Sequence, residues 1–492
     1  MADAARAVLP PCHVLAVPFP GRGHIKAMLS LCRLLAARGV ATTVVLTEEW
    51  LGLVGAAEPL LPARVRLTAI PNVIPSEHGR AANYSVFIEA VNTRMEAPVE
   101  RLLELEGTLL QSPDLPVVVA DLLLQWAVPM AVRRGMKACT FCPFSATIFA
   151  AMYHFERLMA GSSLAVEGQS ANSRISPIIT SDLFPIRDVM HLVLLNYIAD
   201  PMWGQYIPGQ TCMTMRDFRP ILSDEARRGR LMAQIHSARA GESVIFSSFY
   251  ELEAGVLDSL VSEPSLPRVY AIGPCIPYTA LEEEPQDECS YWDWLDMQPA
   301  GSVLYVSLGS FLSLPPSQLA ELAMGLAASN TKFLWVVRHE AQSHVRPLLG
   351  GNGNGNGNGN GVLVPWCDQL KVLCHPSVGG FLTHCGMNSA LEAVFAGVPM
   401  LTLPIATDQP TNSRLIVDVW KIGYSLKEKM QPDGLVTREA IARAVETLMS
   451  SPDLPESNGV RRRALLRKDA SRRAIQEGGS SSTDLNSFLS CI

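Results

Sequence analysis

The segment GGFLTHCGMNSALEA holds the densest group of residues that could do chemistry. We predict that a strand ends at His384 and that Gly386 allows a tight turn after it. Asn388 and Ser389 then stand where the next helix begins. The exposed amide groups and positive dipole end of that helix, with the imidazole, amide and hydroxyl donors, would bind an anion such as a diphosphate. The alternative interpretation is that Ser389 caps the helix and Asn388 makes the turn.

Further polar and aromatic residues lie within this segment and on both sides of it. Trp366 follows a Pro in a predicted loop, where an indole face can stack on a flat base. Glu392 comes one helical turn after Ser389, within reach of ribose hydroxyls. Asp408 and Gln409 follow the strand VPMLTLP and would point into the same crevice. Each has an ordinary alternative: a packing Trp, a solvated helix Glu and an unremarkable loop pair.

The elements that must position these residues alternate between strands and helices. HVLAVPFP predicts a strand, GRGH a turn, IKAMLSLCRLLAARG a helix closed by Gly39, and ATTVVLTEE a second strand. Such a βαβ unit is typical of parallel sheets, whose ligand sites lie beyond the carboxyl ends of the strands. PVVVAD and ESVIFSSF predict further strands, so we expect a first α/β domain over residues 1–260.

The alternation resumes after an acidic, Pro-containing stretch, which we interpret as a linker over residues 261–299. GSVLYVSLGS, TKFLWVVRH, VGGFLTH and VPMLTLP predict strands, and LPPSQLAELAMGLAAS and SALEAVFAG predict helices between them. We expect a second α/β domain over residues 300–470, with residues 471–492 packing back on the first. The predicted fold class is α/β, with two doubly wound, Rossmann-like parallel sheets facing each other across a cleft.

Composition narrows the class of protein. The 492 residues are 48% hydrophobic, enough for two cores, and the net charge of -7 with scattered Lys and Arg argues against a nucleic-acid partner. Neither a signal-peptide pattern nor an apolar run of membrane-spanning length is present in the sequence. The 11 cysteines are scattered, and CTFC is the only CxxC pair, which indicates reduced thiols in a cytoplasmic protein and no metal site. We expect a monomer.

The ordered combination of Trp, HCG, NS, E, GVP and DQ resembles the signature box of plant secondary-product UDP-glycosyltransferases, the family 1 enzymes with the two-domain GT-B fold. The resemblance implies that the first domain binds the acceptor and the second binds the UDP-sugar, which is a co-substrate, so that no cofactor is needed. It assigns donor-binding roles to Trp366 (uracil), Gln369 and Glu392 (ribose), His384, Gly386, Asn388, Ser389 and Ser310 (phosphates), and Asp408 and Gln409 (sugar). A Gln at the last position goes with glucose in this family.

The segment VPFPGRGHIKAML is similar to the acceptor-side motif of the same family. The resemblance implies that His24 is the catalytic base and that Asp121, at the end of PVVVAD, orients it. A positioned His contributes about 10²- to 10⁴-fold by accepting the proton of an attacking hydroxyl. The implied reaction is a direct displacement that inverts the anomeric carbon and gives a β-glucoside of a small apolar acceptor, such as a phenolic, flavonoid, terpenoid or hormone. The alternatives are that His24 merely starts a helix and that Asp121 caps one.

The chain departs from the family pattern at three places. Met387 stands where a Trp is common, Lys26 and Ala27 replace an Asn-Pro pair, and Pro143 occupies the place of a Thr that touches the donor sugar. The tract GGNGNGNGNGNG before Trp366 predicts a flexible surface loop. The apolar segment 161–209 would help to line the acceptor pocket.

Three rival functions stay open on the sequence. The first is the same transfer with another donor sugar, and the second is a non-catalytic protein that binds a UDP-sugar or another small molecule. The third is a nicotinamide-dependent oxidoreductase. GRGH lacks the third Gly of GxGxxG, and Glu48 is the nearest acidic residue to the end of the second strand, so this third reading has the least support.

Overall fold

A computed structural model describes the chain over residues 12–57, 61–78, 80–106, 116–155, 209, 213, 218, 225–281, 291–309, 314–349, 360–431, 434–450 and 455–492. Two parallel sheets dominate these residues. The predicted α/β fold class with two doubly wound sheets is therefore confirmed.

The first sheet has seven strands in the order β3-β2-β1-β4-β5-β6-β7, and every neighbouring pair is parallel. Most of its strands are short runs rich in Val, Ile and Thr that are buried on both faces, as helix-covered parallel strands require. The strands are β1 His13–Val17, β2 Ala41–Thr47, β3 Val65–Ile70, β4 Val117–Asp121, β5 Ala138–Cys142, β6 Ser243–Phe246 and β7 Arg268–Ala271.

The second sheet has six strands in the order β10-β9-β8-β11-β12-β13, again all parallel. In each sheet the strand order reverses next to its first strand, between β1 and β4 and between β8 and β11. Such a reversal opens a crevice at the carboxyl ends of the strands. The strands are β8 Val303–Ser307, β9 Lys332–Val336, β10 Gly361–Val364, β11 Val378–Thr383, β12 Met400–Thr402 and β13 Gly423–Ser425.

Helices connect the strands and cover both sheets. In chain order the described α-helices are α1 Arg22–Ala37, α2 Glu48–Ala57, α3 Tyr84–Arg94, α4 Glu96–Glu106, α5 Ala127–Arg133, α6 Glu225–Ala240, α7 Tyr250–Val261, α8 Tyr291–Asp296, α9 Pro316–Ala328, α10 His339–Val345, α11 Gln369–Cys374, α12 Met387–Ala396, α13 Gln409–Arg414, α14 Arg438–Met449, α15 Pro455–Ile475 and α16 Ser480–Leu489. Within the described ranges no helix is long and apolar enough to cross a membrane.

Helix α16 lies on the first sheet although it follows the second sheet in sequence. Leu485, Phe488 and Leu489 are buried in the same core as residues of β1, β2 and α1. The Phe488 ring packs edge-on against Tyr270 of β7, with centroids 5.8 Å apart. The backbone N–H of Ala271 donates to the Asp484 carboxylate at 2.7 Å. The first core therefore includes side chains from a distant part of the sequence.

Two sequence interpretations are wrong in detail. The predicted linker contains β7, which is the seventh strand of the first sheet, because the four-residue run RVYA was too short to stand out beside the neighbouring prolines. The tract of Gly and Asn was predicted to be a loop throughout, but Gly361 begins β10, where a Cβ atom would lie 2.1 Å from the Phe333 ring. Residues 350–359 of the tract lie outside the described residues, and the domain boundaries stay a prediction.

Candidate active site

His24 and Asp121 meet at the reversal point of the first sheet. Nδ1 of His24 lies 2.7 Å from Oδ2 of Asp121, although the two residues are far apart in sequence. The Asp121 side chain is fully buried, whereas 18% of the His24 side chain is exposed. The other carboxylate oxygen accepts the backbone N–H of Leu123 at 3.0 Å. Because the carboxylate binds Nδ1–H, the neutral ring presents Nε2 as its basic nitrogen.

The turn before His24 fixes the direction of its imidazole. We predicted that GRGH is a turn and that both residues of the pair end strands, but α1 begins at Arg22 and His24 is the third residue of this helix. Gly21 is the extended N-cap, and its carbonyl accepts the N–H of Ile25 at 2.9 Å. The His24 ring packs against Phe19 and Phe144, with centroids 4.9 and 5.3 Å away. The helix and the two rings therefore hold the base in one orientation.

Arg80 braces the turn before His24, and sequence reasoning missed it. Its guanidinium is nearly fully buried, donates to the carbonyl of Pro20 at 2.6 Å and pairs with Glu77 at 2.8 Å. It also lies 4.0 Å from the centre of the Phe87 ring. No sequence signal marks this residue, because its partners come from the β1–α1 turn and a later helix.

Two glycines enclose His384 at the reversal point of the second sheet. A Cβ atom at Gly309 or at Gly386 would lie only 2.6 Å from Nε2 of His384. Gly309 also has a φ of +80°, which side chains disfavour. Burial lowers the pKa of His384, whereas the Asp408 carboxylate and the Ser307 backbone act to raise it. The glycines therefore let the backbone of both loops close on the imidazole.

Helix α12 starts at Met387 with Gly386 as its N-cap, and no side chain caps it. The alternative that Ser389 caps this helix is therefore wrong. The Ser389 hydroxyl accepts a hydrogen bond from Nε2 of Gln369 at 2.9 Å. The same Nε2 donates to Oε2 of Glu392, which is fully buried and is not a solvated helix residue. The helix thus presents uncapped amides beside a polar side-chain network.

Tyr305 of β8 supports this network from the core, and sequence reasoning missed it as well. Its hydroxyl donates to Oε1 of Gln369 at 3.2 Å, and its ring stacks on Phe381 of β11. Burial raises the pKa of Tyr305 well above its ordinary value, so the hydroxyl keeps its proton. Gln369, the first residue of α11, is therefore oriented on one side by Tyr305 and on the other by Ser389 and Glu392.

Asp408 and Gln409 follow β12, where their hydrogen bonds fix the loop. Oδ2 of Asp408 accepts from Asn412 at 2.8 Å, and the same Asn412 amide donates to the carbonyl of Cys385. Oε1 of Gln409 accepts the backbone N–H groups of Ile405 and Ala406 at 2.8 and 3.1 Å. The Gln409 amide therefore directs its oxygen toward the backbone of this loop.

Trp366 is also among the predicted donor-binding residues that the structure describes. Trp366 lies just after β10 with 55% of its surface exposed, as a loop Trp that stacks on a ligand would. Ser310 and most of the apolar segment 161–209 lie outside the described residues. The described ranges contain no group of three or more His, Cys, Asp or Glu side chains that could hold a metal ion.

The two reversal points face each other, since two polar contacts join them. The Asn388 amide donates to the carbonyl of Gly23 at 2.6 Å, and Nζ of Lys26 lies 2.6 Å from Oε1 of Glu392. The His24–Asp121 pair of the first sheet and the polar network of the second thus line one cleft. This architecture, with two doubly wound domains and a site between them, defines the class of GT-B glycosyltransferases.

The comparisons with known proteins identify the family. The family described as "UDP-glucoronosyl and UDP-glucosyl transferase" matches residues 264–458. UDP-glycosyltransferase 87A2 of Arabidopsis thaliana is 36% identical, with 97% of this chain and 96% of that protein covered. The indole-3-acetate beta-glucosyltransferase of Zea mays is 32% identical, with 98% of each covered. This chain belongs to the plant family 1 UDP-glycosyltransferases and is a UDP-dependent glycosyltransferase.

A solved structure agrees with this assignment. The UGT2 protein of Phytolacca americana, complexed with UDP-2fluoro-glucose and pterostilbene, aligns with a TM-score of 0.74 at 26% identity. The alignment covers 97% of this chain and 99% of that one. The recognition of the family from its sequence motifs is confirmed.

Proposed function

We propose that this enzyme transfers glucose from UDP-glucose to a hydroxyl group of a small, largely apolar acceptor and inverts the anomeric carbon. The observation that carries the proposal is the His24–Asp121 pair, which lies across the cleft from the polar network around His384 and Glu392. The pair supplies a base for the acceptor, and the network supplies ligands for the departing nucleotide.

The base acts on the acceptor hydroxyl as this group attacks. The acceptor oxygen forms a bond to the anomeric carbon while the bond from that carbon to the diphosphate oxygen breaks. Nε2 of His24 takes the hydroxyl proton, and the electron pair of the broken bond leaves on the diphosphate. The buried Asp121 carboxylate, 2.7 Å from Nδ1, stabilises the imidazolium that forms.

The donor roles follow from the chemistry of each group in the second domain. The uncapped amides of α12, with Gly386, Asn388 and Ser389, receive the diphosphate, and His384 contacts it from the adjoining loop. Gln369 and Glu392 receive the ribose, and the exposed Trp366 indole stacks on uracil. Asp408 and Nε2 of Gln409 receive the sugar, and we propose glucose as that sugar.

The acceptor lies against the aromatic rings that flank the base. Phe19 and Phe144 place apolar rings beside the His24 imidazole on the first-domain side of the site. Two compounds in the names of similar proteins, indole-3-acetate and pterostilbene, pair an apolar ring system with an oxygen nucleophile. A phenolic, flavonoid, terpenoid or hormone of this kind is the acceptor class that we propose.

The test is UDP release from UDP-glucose with a panel of phenolic and terpenoid acceptors. We expect acceptor-dependent release that falls by about 10²- to 10⁴-fold in His24→Ala, with UDP binding unchanged. His375→Ala is the matched control, because His375 also pairs with a carboxylate, Asp296 at 3.0 Å, but this pair lies outside the cleft. Equal losses in both variants, or no release with any UDP-sugar despite UDP binding, would contradict the proposal.

We propose that the reaction needs no bound metal, because helix amides and imidazole are available to neutralise the leaving diphosphate. Turnover should then be unchanged by excess EDTA.

We also propose a cytoplasmic monomer. The cysteines in the described ranges are free thiols, as is usual in a reducing compartment. Size-exclusion chromatography and the location of a fluorescent fusion would check these two statements.

A further inference from the structure

Lys26 reaches across the cleft from the helix that carries the base. Its Nζ lies 2.6 Å from Oε1 of Glu392, and it comes two residues after His24. The Glu392 side chain is fully buried, whereas 36% of the Lys26 side chain is exposed. The family pattern commonly has Asn where this chain has Lys26, so Lys26 adds a positive charge that the pattern lacks.

Both oxygens of the Glu392 carboxylate have partners in this arrangement. Oε1 accepts from Lys26, and Oε2 accepts from Nε2 of Gln369. A ribose presents two neighbouring hydroxyl donors, which match the two oxygens of one carboxylate. The Lys26 ammonium therefore lies against an acceptor atom that the ribose diol would also use.

The second contact across the cleft limits how far the domains can adjust. The Asn388 amide donates to the carbonyl of Gly23, so that one contact lies on each side of His24 along the chain. Of the two partners in the ion pair, Lys26 has the partly exposed side chain, whereas Glu392 is fully buried.

We propose that Lys26 competes with the UDP-sugar for Glu392. Its ammonium binds the Glu392 carboxylate in the donor-free enzyme, and the ribose of the UDP-sugar must displace it. The proposal rests on the proposed function, which makes Glu392 a ribose ligand. The affinity for nucleotide then depends on the difference in free energy between the contact of ribose with Glu392 and the ion pair of Lys26 with Glu392. Because Lys26 is partly exposed, screening weakens this pair, and the penalty on nucleotide binding is modest.

The experiment measures binding of UDP, uridine and 2′,3′-dideoxyuridine to the full-length protein by isothermal titration calorimetry. Lys26→Met removes the charge and keeps the length of the side chain. We expect its Kd for UDP and for uridine to fall by about 3- to 10-fold at low ionic strength. We expect this gain to shrink as salt is added, and to be absent for the dideoxy compound, which lacks the diol.

Two control variants distinguish competition between Lys26 and the ribose from other effects of charge. Lys26→Arg keeps the cation and should bind all three compounds as the parent does. Lys371→Met removes another cation near the same site. The Lys371 ammonium lies 3.8 Å from the carboxylate of Asp368. This variant should leave uridine binding unchanged.

Two results would overturn the proposal. Weaker UDP binding by Lys26→Met with unchanged uridine binding would assign Lys26 to the diphosphate. Unchanged binding of all three compounds would show that the ion pair does not compete with ribose. A parent enzyme that binds no UDP would instead contradict the proposed function itself, so the two failures are distinguishable.

Discussion

The two halves of the cleft are built in opposite ways. The first-domain half depends on one hydrogen bond between two residues that are distant in sequence, His24 and Asp121. The second-domain half is a network in which Gln369 contacts Tyr305, Ser389 and Glu392. A single change should therefore stop proton transfer in the first half, whereas changes in the second half should weaken donor binding by degrees.

The largest expected effect comes from breaking the pair without changing its shape. Asp121→Asn removes the carboxylate that holds Nδ1–H and stabilises the imidazolium, so we expect kcat to fall by up to about 10⁴-fold. The KM for UDP-glucose should stay within about 2-fold because the donor network is untouched. Steady-state kinetics checks both values. Asp296→Asn, which alters the partner of His375, is the control, and an equal loss of kcat there would contradict this role for Asp121.

The next effect comes from filling the space beside His384. A Cβ atom at Gly386 would lie 2.6 Å from Nε2, so Gly386→Ala should shift the imidazole and lower kcat/KM for UDP-glucose by about 10²-fold. Gly52→Ala in α2 meets no atom within 4 Å and should leave kcat/KM unchanged. A Gly386→Ala enzyme with the donor kinetics of the parent would show that His384 does not contact the nucleotide.

A smaller effect should follow when one atom of Gln409 is exchanged. Gln409→Glu keeps an oxygen for the N–H groups of Ile405 and Ala406 but removes the amide donor that we propose for the sugar. We expect kcat/KM for UDP-glucose to fall by about 10-fold, with no loss of thermal stability. Kinetics and a melting curve separate the two roles. A large drop in Tm with unchanged kinetics would assign Gln409 to the loop alone.

The smallest effect should come from the outer edge of the donor network. Tyr305→Phe removes the hydroxyl that donates to Oε1 of Gln369 but keeps the ring stacked on Phe381. We expect the KM for UDP-glucose to rise by about 2- to 5-fold with kcat unchanged, since Ser389 and Glu392 still orient the amide. A fold decrease in kcat as large as the fold increase in KM would contradict the view that several residues share the orientation of the Gln369 amide.

The same contrast explains what could be predicted from the sequence. The loop between β11 and α12 could be predicted from the sequence. Its turn, its helix start and its polar residues are close together in the chain, so that their spacing alone places them. The sequence could not predict the roles of Arg80 and Tyr305 or the contact between Lys26 and Glu392, because the partners in these contacts meet only in the tertiary structure. Lys26 was noted only as a departure from the family pattern.

Strand recognition depended on length and on the surrounding sequence. Runs such as HVLAVPFP and PVVVAD were long enough to mark β1 and β4. The four residues of β7 were hidden between prolines, and the helix start at Arg22 was obscured by two glycines that usually indicate a turn. Short edge strands take their stability from neighbours, which a local pattern does not contain.

The position of α16 has a consequence for how the chain is made. β1 and β2 leave the ribosome well before Phe488 and its neighbours, which complete their core. Until then the nascent first domain exposes the apolar surface that α16 covers in the folded chain. We therefore expect this domain to finish folding after the second has been synthesised, so that a frameshift late in the gene would send the whole enzyme to degradation.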